Sequence, residues 1–197
     1  MNRVGIMIDI SHVDDRTFYQ VMELSKKPCI ASHSSGRYFT PAFERNMSDE
    51  MIKLLAQKGG VIQINFGSGF LDSLSRAQSN RDKAELKTLL AQHNWTEDTP
   101  EAKPTIQHFW KEHPYRFSTV ERVADHIDHV VHLTSLNHVG LGSDFDGVGD
   151  SLPVGLKDTS MYPNLLYELL KRGYTEEDLE KICYKNVWRV WNKVLEK

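Results

Sequence analysis

The feature that most constrains this chain is its opening, which reads strand, helix, strand with a histidine closing each strand. Residues 4–10 are an apolar, β-branched run, and His12 follows them. Residues 14–25 carry a helical pattern, with Asp14 or Asp15 able to cap it and Phe18, Val21, Met22 and Leu24 as its apolar stripe. Residues 29–32 form a second short apolar run, entered through Pro28 and ended by His33. Such a βαβ unit places two imidazoles just past the carboxyl ends of parallel strands. In α/β barrels that is the face on which chemistry is built.

The remaining chain reads as further units of the same kind. A loop rich in turn formers runs from His33 to Asn46. Ser48, Asp49 and Glu50 open a helix whose buried face is Met51, Ile52, Leu54 and Leu55, and Gly59-Gly60 stops it. Residues 61–66 make a third strand, apolar enough to be buried on both faces. Residues 67–117 break the rhythm: they are polar, punctuated by Pro100, Pro104 and Pro114, with one helix expected near 83–90. They read as an insertion at the end of a strand, either shaping a substrate site or forming a solvated excursion. Residues 119–134 are the clearest helix. Residues 139–142 are a fourth strand, followed at once by Asp144-Phe145-Asp146-Gly147. Helices are expected from Pro163 to Lys171, from Glu176 to Cys183 behind a Thr175/Asp178 cap, and from Asn186 to Leu195, with Trp188 and Trp191 packed in the core. The fold class is α/β, with about four parallel strands and flanking helices. An eight-stranded barrel typically needs ~250 residues. A chain of 197 residues with half that strand count is therefore an open sheet, a self-pairing half or a piece of something longer.

Composition narrows the function. A net charge of −3 makes no electrostatic case for nucleic acid or an anionic membrane. No apolar run approaches roughly 18 residues, so no transmembrane segment is expected. The N-terminus enters a strand directly, without a signal peptide, so export of the chain as written is not expected; the compartment stays open, with cytoplasmic as the expectation for the chain as written. Cys29 and Cys183 are expected as free thiols. His12 and His33 are either metal ligands or satisfied or substrate-binding histidines, and two ligands are fewer than the three protein donors of a catalytic zinc site. Asp144 is a candidate metal ligand or general base facing the same mouth, or else a turn residue; Asp146 fits the turn reading better. Arg45 could grip a carboxylate in bidentate fashion or be a surface arginine. His126, His129 and His132 fall on a helix beside its apolar stripe and read as solvated or boundary histidines, not as a metal motif.

Taken together, Asp9-Ile10-Ser11-His12-Val13, Ala31-Ser32-His33-Ser34-Ser35, Arg45-Asn46, the run from Gly140 to Gly147, Tyr162-Pro163 through Arg172-Gly173-Tyr174, and Asn186 with Arg189-Val190 resemble the membrane (renal) dipeptidase family, peptidase family M19, of the amidohydrolase superfamily. The likeness spans nearly the whole chain, in order. It implies a single partial barrel domain over residues 1–197, covering strands five to eight of a (β/α)8 barrel with the insertion at about 67–117. It implies a dipeptide substrate and two Zn2+ ions per site, bridged by a carboxylate and a hydroxide. By the same resemblance His12 and His33 ligate the second zinc, and Asp144 moves the proton from attacking water to leaving amine. Arg45 then holds the substrate's C-terminal carboxylate. The family's first-strand His-x-Asp, its bridging glutamate and a further substrate histidine have no counterpart here. Tyr184-Lys185 stands where a Gly-Gly pair is common. The expectation is thus a zinc dipeptidase, shortened at its N-terminus and weak or inactive alone. The alternatives are a non-catalytic half-barrel that self-associates through exposed sheet edges, or another metal-dependent amidohydrolase.

Overall fold

Asp14 accepts a hydrogen bond from the Thr17 amide at 2.8 Å and so starts α1 (Asp15–Leu24). This is the first long element of the computed structural model, which describes residues 1–196. Phe18 and Met22 are buried, whereas Leu24 faces solvent instead of joining the stripe. Upstream, the expected strand over residues 4–10 is much shorter. Asn2–Val4 forms a 3-10 turn, and Gly5 turns the chain at φ 72°. Only residues 8–10 then run parallel to Ile30. Ile30 N–H donates to Ile8 O at 3.0 Å, and Ile10 N–H donates to Ile30 O at 2.8 Å. Among the described residues the segment has a hydrogen-bonding neighbour on one side only, and Val4 and Ile6 stay exposed.

β1 (Ile30–Ala31) is the short second strand. The chain then passes a 3-10 turn at Arg37–Phe39 and enters α2 (Asp49–Gln57) behind Ser48, whose hydroxyl accepts from the Met51 amide at 3.3 Å. β2 (Val61–Ile64) pairs parallel with β1 through Ile30↔Val61. Gly60 is required at this crossing, because a Cβ there would lie 2.5 Å from Cys29 O.

Residues 67–117 differ most from expectation. They hold α3 (Ser68–Leu71), α4 (Ser73–Gln92), a 3-10 turn at Pro100–Ala102 and α5 (Lys103–Glu112). α4 and α5 share a small core of Leu86, Leu90, Ala102 and Phe109, separate from the main one. The excursion is thus a helical hairpin with its own apolar contact. α6 (Val120–Leu133) follows as expected, burying Val123, Ala124, Ile127 and Val130. β3 (Val139–Leu141) pairs parallel with β2 through Ile62↔Val139. α7 (Tyr162–Lys171) and α8 (Glu176–Glu180) come next, α8 behind a reciprocal capping box of Thr175 and Asp178. A π-helical turn over Lys181–Lys185 then leads into α9 (Asn186–Leu195).

Among the described residues the sheet is three-stranded, in the order β1-β2-β3, all parallel. Each strand is added beside its predecessor, so the sheet grows in one direction like an arc of a barrel wall. One face packs on α1, α2, α6 and α7 through Phe18, Met22, Ile52, Ile62, Ile64, Ile127 and Leu165. Each such side chain contributes about 1.5–3 kcal/mol by leaving water. α9 meets Ile30 and Val61 through Val190. Its Arg189 donates to Gly59 O and Asn137 O, just before β2 and β3, so α9 sits at the amino-terminal rim. Trp188 and Trp191 are 64% and 56% exposed, not in the core: Val190 and Val194 bury while the indoles point outward. Cys29 and Cys183 are free thiols.

Candidate functional site

At the carboxyl-terminal rim the first run and β1 are tied together by one carboxylate. Asp9 Oδ1 accepts from the amides of Ser11 and Ser32, each at 3.0 Å, and Asp9 Oδ2 accepts from Ser32 Oγ at 2.5 Å. Ser11 Oγ in turn accepts from the His33 amide at 3.0 Å and bonds Ser34 Oγ at 3.1 Å. These contacts fix the two chain ends that carry His12 and His33. His12 Nε2 and His33 Nε2 lie 2.8 Å apart, with ring planes at 55°. Ser32 Oγ, its one hydrogen committed to Asp9, accepts at 2.7 Å from His33 Nδ1–H. That network assigns the tautomer and leaves His33 Nε2 with its lone pair facing His12. Burial lowers the His12 pKa below its ordinary value; the neighbouring Arg45 and His33 lower it further, and the carboxylates of Asp144 and Asp9 oppose them. A neutral ring is the form that can ligate a metal.

Arg45 is not the surface residue that spacing alone suggests. It is half-buried, with Nη1 donating to Ser34 Oγ and Nη2 to His33 O, both at 2.8 Å. Its Nε is buried with no partner among the described residues. The Phe70 ring lies 5.5 Å from its guanidinium carbon. A half-buried guanidinium with a buried, orphaned donor is a poised anion site.

Asp144 follows β3 through Gly142 and Ser143. Its Oδ2 accepts from Asn65 Nδ2 at 2.7 Å, and Asn65 Oδ1 accepts from the Gly67 amide at 2.8 Å. Asp144 also caps a turn, its carbonyl accepting from Gly147 N–H at 3.1 Å, so the turn and site readings coexist. Two glycines make room: a Cβ on Gly142 would lie 2.5 Å from Ser32 O, and one on Gly147 would lie 2.1 Å from Asp144 Oδ1. His12 and Asp144 both hold left-handed backbone, at φ 71° and 63°. Non-glycine residues are held there only where their surroundings demand it.

The residues missed from sequence are Asp9, Ser32, Ser34 and Asn65. Asn65 left a signal, a polar residue near the carboxyl end of a run that is apolar apart from Gln63. The helical histidines are corrected in one respect. His126 is wholly buried, not solvated or at a boundary; its Nδ1 accepts from Gly36 N–H at 3.1 Å and its Nε2–H donates to Leu71 O at 3.0 Å. His129 Nε2 pairs with Asp49 at 2.8 Å, and His132 is exposed.

The donors at this rim suit a metal in kind and fall short in number. Two imidazoles on one tetrahedral zinc, at about 2.0–2.1 Å each, would stand about 3.3 Å apart, so the pair needs only a small opening. Among the described residues no group of three or more His, Cys, Asp or Glu side chains could hold an ion.

Comparison with known proteins places this arrangement. The family model for membrane dipeptidase, peptidase family M19, matches residues 1–197. The uncharacterized dipeptidase C965.12 of Schizosaccharomyces pombe is 34% identical over 194 residues, covering 98% of this chain and 37% of that protein. The probable dipeptidase PvdM of Pseudomonas aeruginosa superposes with a TM-score of 0.76 at 28% identity, over 98% of this chain and 51% of that one. A metallo peptidase of Rhodobacter sphaeroides, solved with a phosphinate mimic of the dipeptide L-Ala-D-Ala, gives 0.72 at 26% identity, over 98% and 44%. The chain thus spans between about a third and a half of the relatives it matches. In sequence and in fold, it belongs to the membrane dipeptidase family, peptidase family M19.

Proposed function

We propose that the rim of this sheet is one half of a zinc-dependent dipeptidase site that cleaves the peptide bond of dipeptides. His12 and His33 would hold a zinc ion. The observation that carries this reading is their facing Nε2 atoms, 2.8 Å apart and oriented by the Asp9–Ser32–His33 hydrogen bonds. A bound cation supplies Lewis-acid polarisation of the amide carbonyl and activates water. Arg45 binds the C-terminal carboxylate of the dipeptide through its unpartnered Nε and remaining N–H groups, and so sets where the scissile amide lies. Asp144 takes the proton from the attacking water and returns it to the leaving amine. Asn65 occupies Oδ2, which leaves Oδ1, beside Gly147, as the oxygen that exchanges the proton. The strands contributed here correspond to the second half of a (β/α)8 barrel. With no group of three or more metal donors among the described residues, the chain by itself turns over slowly. The test is release of free amino acids from alanyl-alanine with and without added zinc. Cleavage that needs zinc and disappears in Asp144→Asn is expected; cleavage indifferent to Asp144 contradicts the assignment.

A second reading, self-association of a non-catalytic half-barrel, is favoured by one feature. Trp188, Trp191 and Leu195 of α9 and Val4 and Ile6 at the sheet edge leave apolar surface open. Light scattering decides it: a concentration-dependent dimer supports it and a monodisperse monomer counts against it.

A further inference from the structure

A cavity of about 500 Å³ opens beside the rim, between the helical hairpin of residues 67–117 and the loop after Asp144. Its walls include Phe70, Arg76, Lys83, Trp110, Tyr115 and Gly147. Two of these also border the candidate site: Phe70 lies under the Arg45 guanidinium, and Gly147 sits against Asp144 Oδ1. The connection is a stack. The Phe70 ring meets the Phe43 ring at 5.3 Å, and Arg76 lies over the far ring, its guanidinium carbon 3.2 Å from the Phe43 centroid. Arg45 and Arg76 therefore bracket one aromatic pair.

The charges in the cavity are unbalanced. Among the described residues neither Arg76 nor Lys83 forms an ion pair with a carboxylate. The acid in the wall, Asp150, faces Lys157 at 3.5 Å, and that ammonium also lies 3.5 Å from the Phe117 ring centroid. His113 donates from Nδ1 to Phe109 O and has Glu85 3.8 Å from Nε2. Burial of Arg76 lowers its proton affinity, a cost that a bound anion relieves. A cavity with two unpaired cations and aromatic walls fits a small organic anion.

We infer that this cavity is a side-chain subsite for dipeptides whose C-terminal residue is acidic, its carboxylate received by Lys83 and Arg76 while Arg45 holds the main-chain carboxylate. This rests on the dipeptide reading above. α4, which carries both cations, would then set substrate preference.

The test uses calorimetric binding of alanyl-glutamate and alanyl-glutamine to the full chain at fixed zinc. The two ligands differ by one charge at nearly equal shape. Alanyl-glutamate is expected to bind about tenfold more tightly, a ratio that falls with added salt. Lys83→Gln, an exposed position on α4, should reduce the ratio at least threefold, and Arg76→Gln should do likewise. Arg45→Ala should weaken both ligands and leave the ratio in place. Equal affinity for the two dipeptides overturns the subsite while leaving the dipeptide reading intact. Binding of neither dipeptide to the unmodified chain overturns that reading, and the subsite with it.

Discussion

His126 offers a quantitative handle on how the rim is held. Its ring spans the loop that carries Arg45, through Gly36, and the end of α3 that carries Phe70, through Leu71. Desolvation pushes its pKa from 6.5 down to about 3, with Arg122 and His129 also lowering it and the Leu71 hydrogen bond and Asp72 raising it. The unfolded chain protonates this histidine as pH falls through its ordinary value, whereas the native chain does not until near 3. The unfolded state therefore binds more protons in that window, and stability rises with pH across it. The slope from this one group approaches about 1.4 kcal/mol per pH unit. His126→Gln removes the titration and retains a donor and an acceptor. Urea denaturation of both proteins at several pH values between 4 and 6 isolates the difference. The unsubstituted chain should lose stability faster on acidification, by roughly 1 kcal/mol per unit more than the variant. Parallel profiles would refute the picture of a buried neutral imidazole clamp.

Other perturbations probe neighbouring parts of the account. Gly147→Ala places a Cβ against Asp144 Oδ1, so dipeptide turnover should fall tenfold or more while the thermal midpoint moves by only a few degrees. Ser32→Ala deprives His33 Nδ1 of its acceptor and should weaken zinc binding roughly tenfold in competition with a chelator. Arg172 joins Asp125, Asp128 and Glu168 at 2.7–3.0 Å; Arg122 and Lys171 still pair with Asp125 and Glu168 when it is lost, so Arg172→Leu leaves chiefly Asp128 without a cation and should cost about 1 kcal/mol in urea denaturation.

Much of this architecture is legible in the sequence, for identifiable reasons. The apolar runs ending in His12, His33 and Asp144 reveal the rim because strand residues leave the sheet at its carboxyl edge. α6 is legible because its buried positions recur with helical spacing. α4 is legible only in its second half, where a helix is expected near 83–90: over twenty residues it buries mainly Leu86 and Leu90, with Ser75 and Asp82 as its other buried positions, so no apolar stripe marks its full length. The hairpin it forms with α5 is held by contacts distant in sequence. Trp188 and Trp191 mislead because apolar character alone does not say which side of α9 meets the sheet; Val190 and Val194 take that place. The supporting roles of Asp9 and Ser32 are invisible to spacing, since they depend on two chain ends meeting. The first strand is overread because its apolar run continues past the point where a neighbour exists to pair with it.

The most direct test of the central claim is X-ray absorption at the zinc edge on the zinc-loaded chain, alongside His12→Ala, His33→Ala and the double variant. The account predicts a bound zinc whose spectrum contains scattering from two imidazoles, reduced to one in each single variant and lost in the double. Zinc held with undiminished affinity and an unchanged spectrum when both histidines are gone would contradict it.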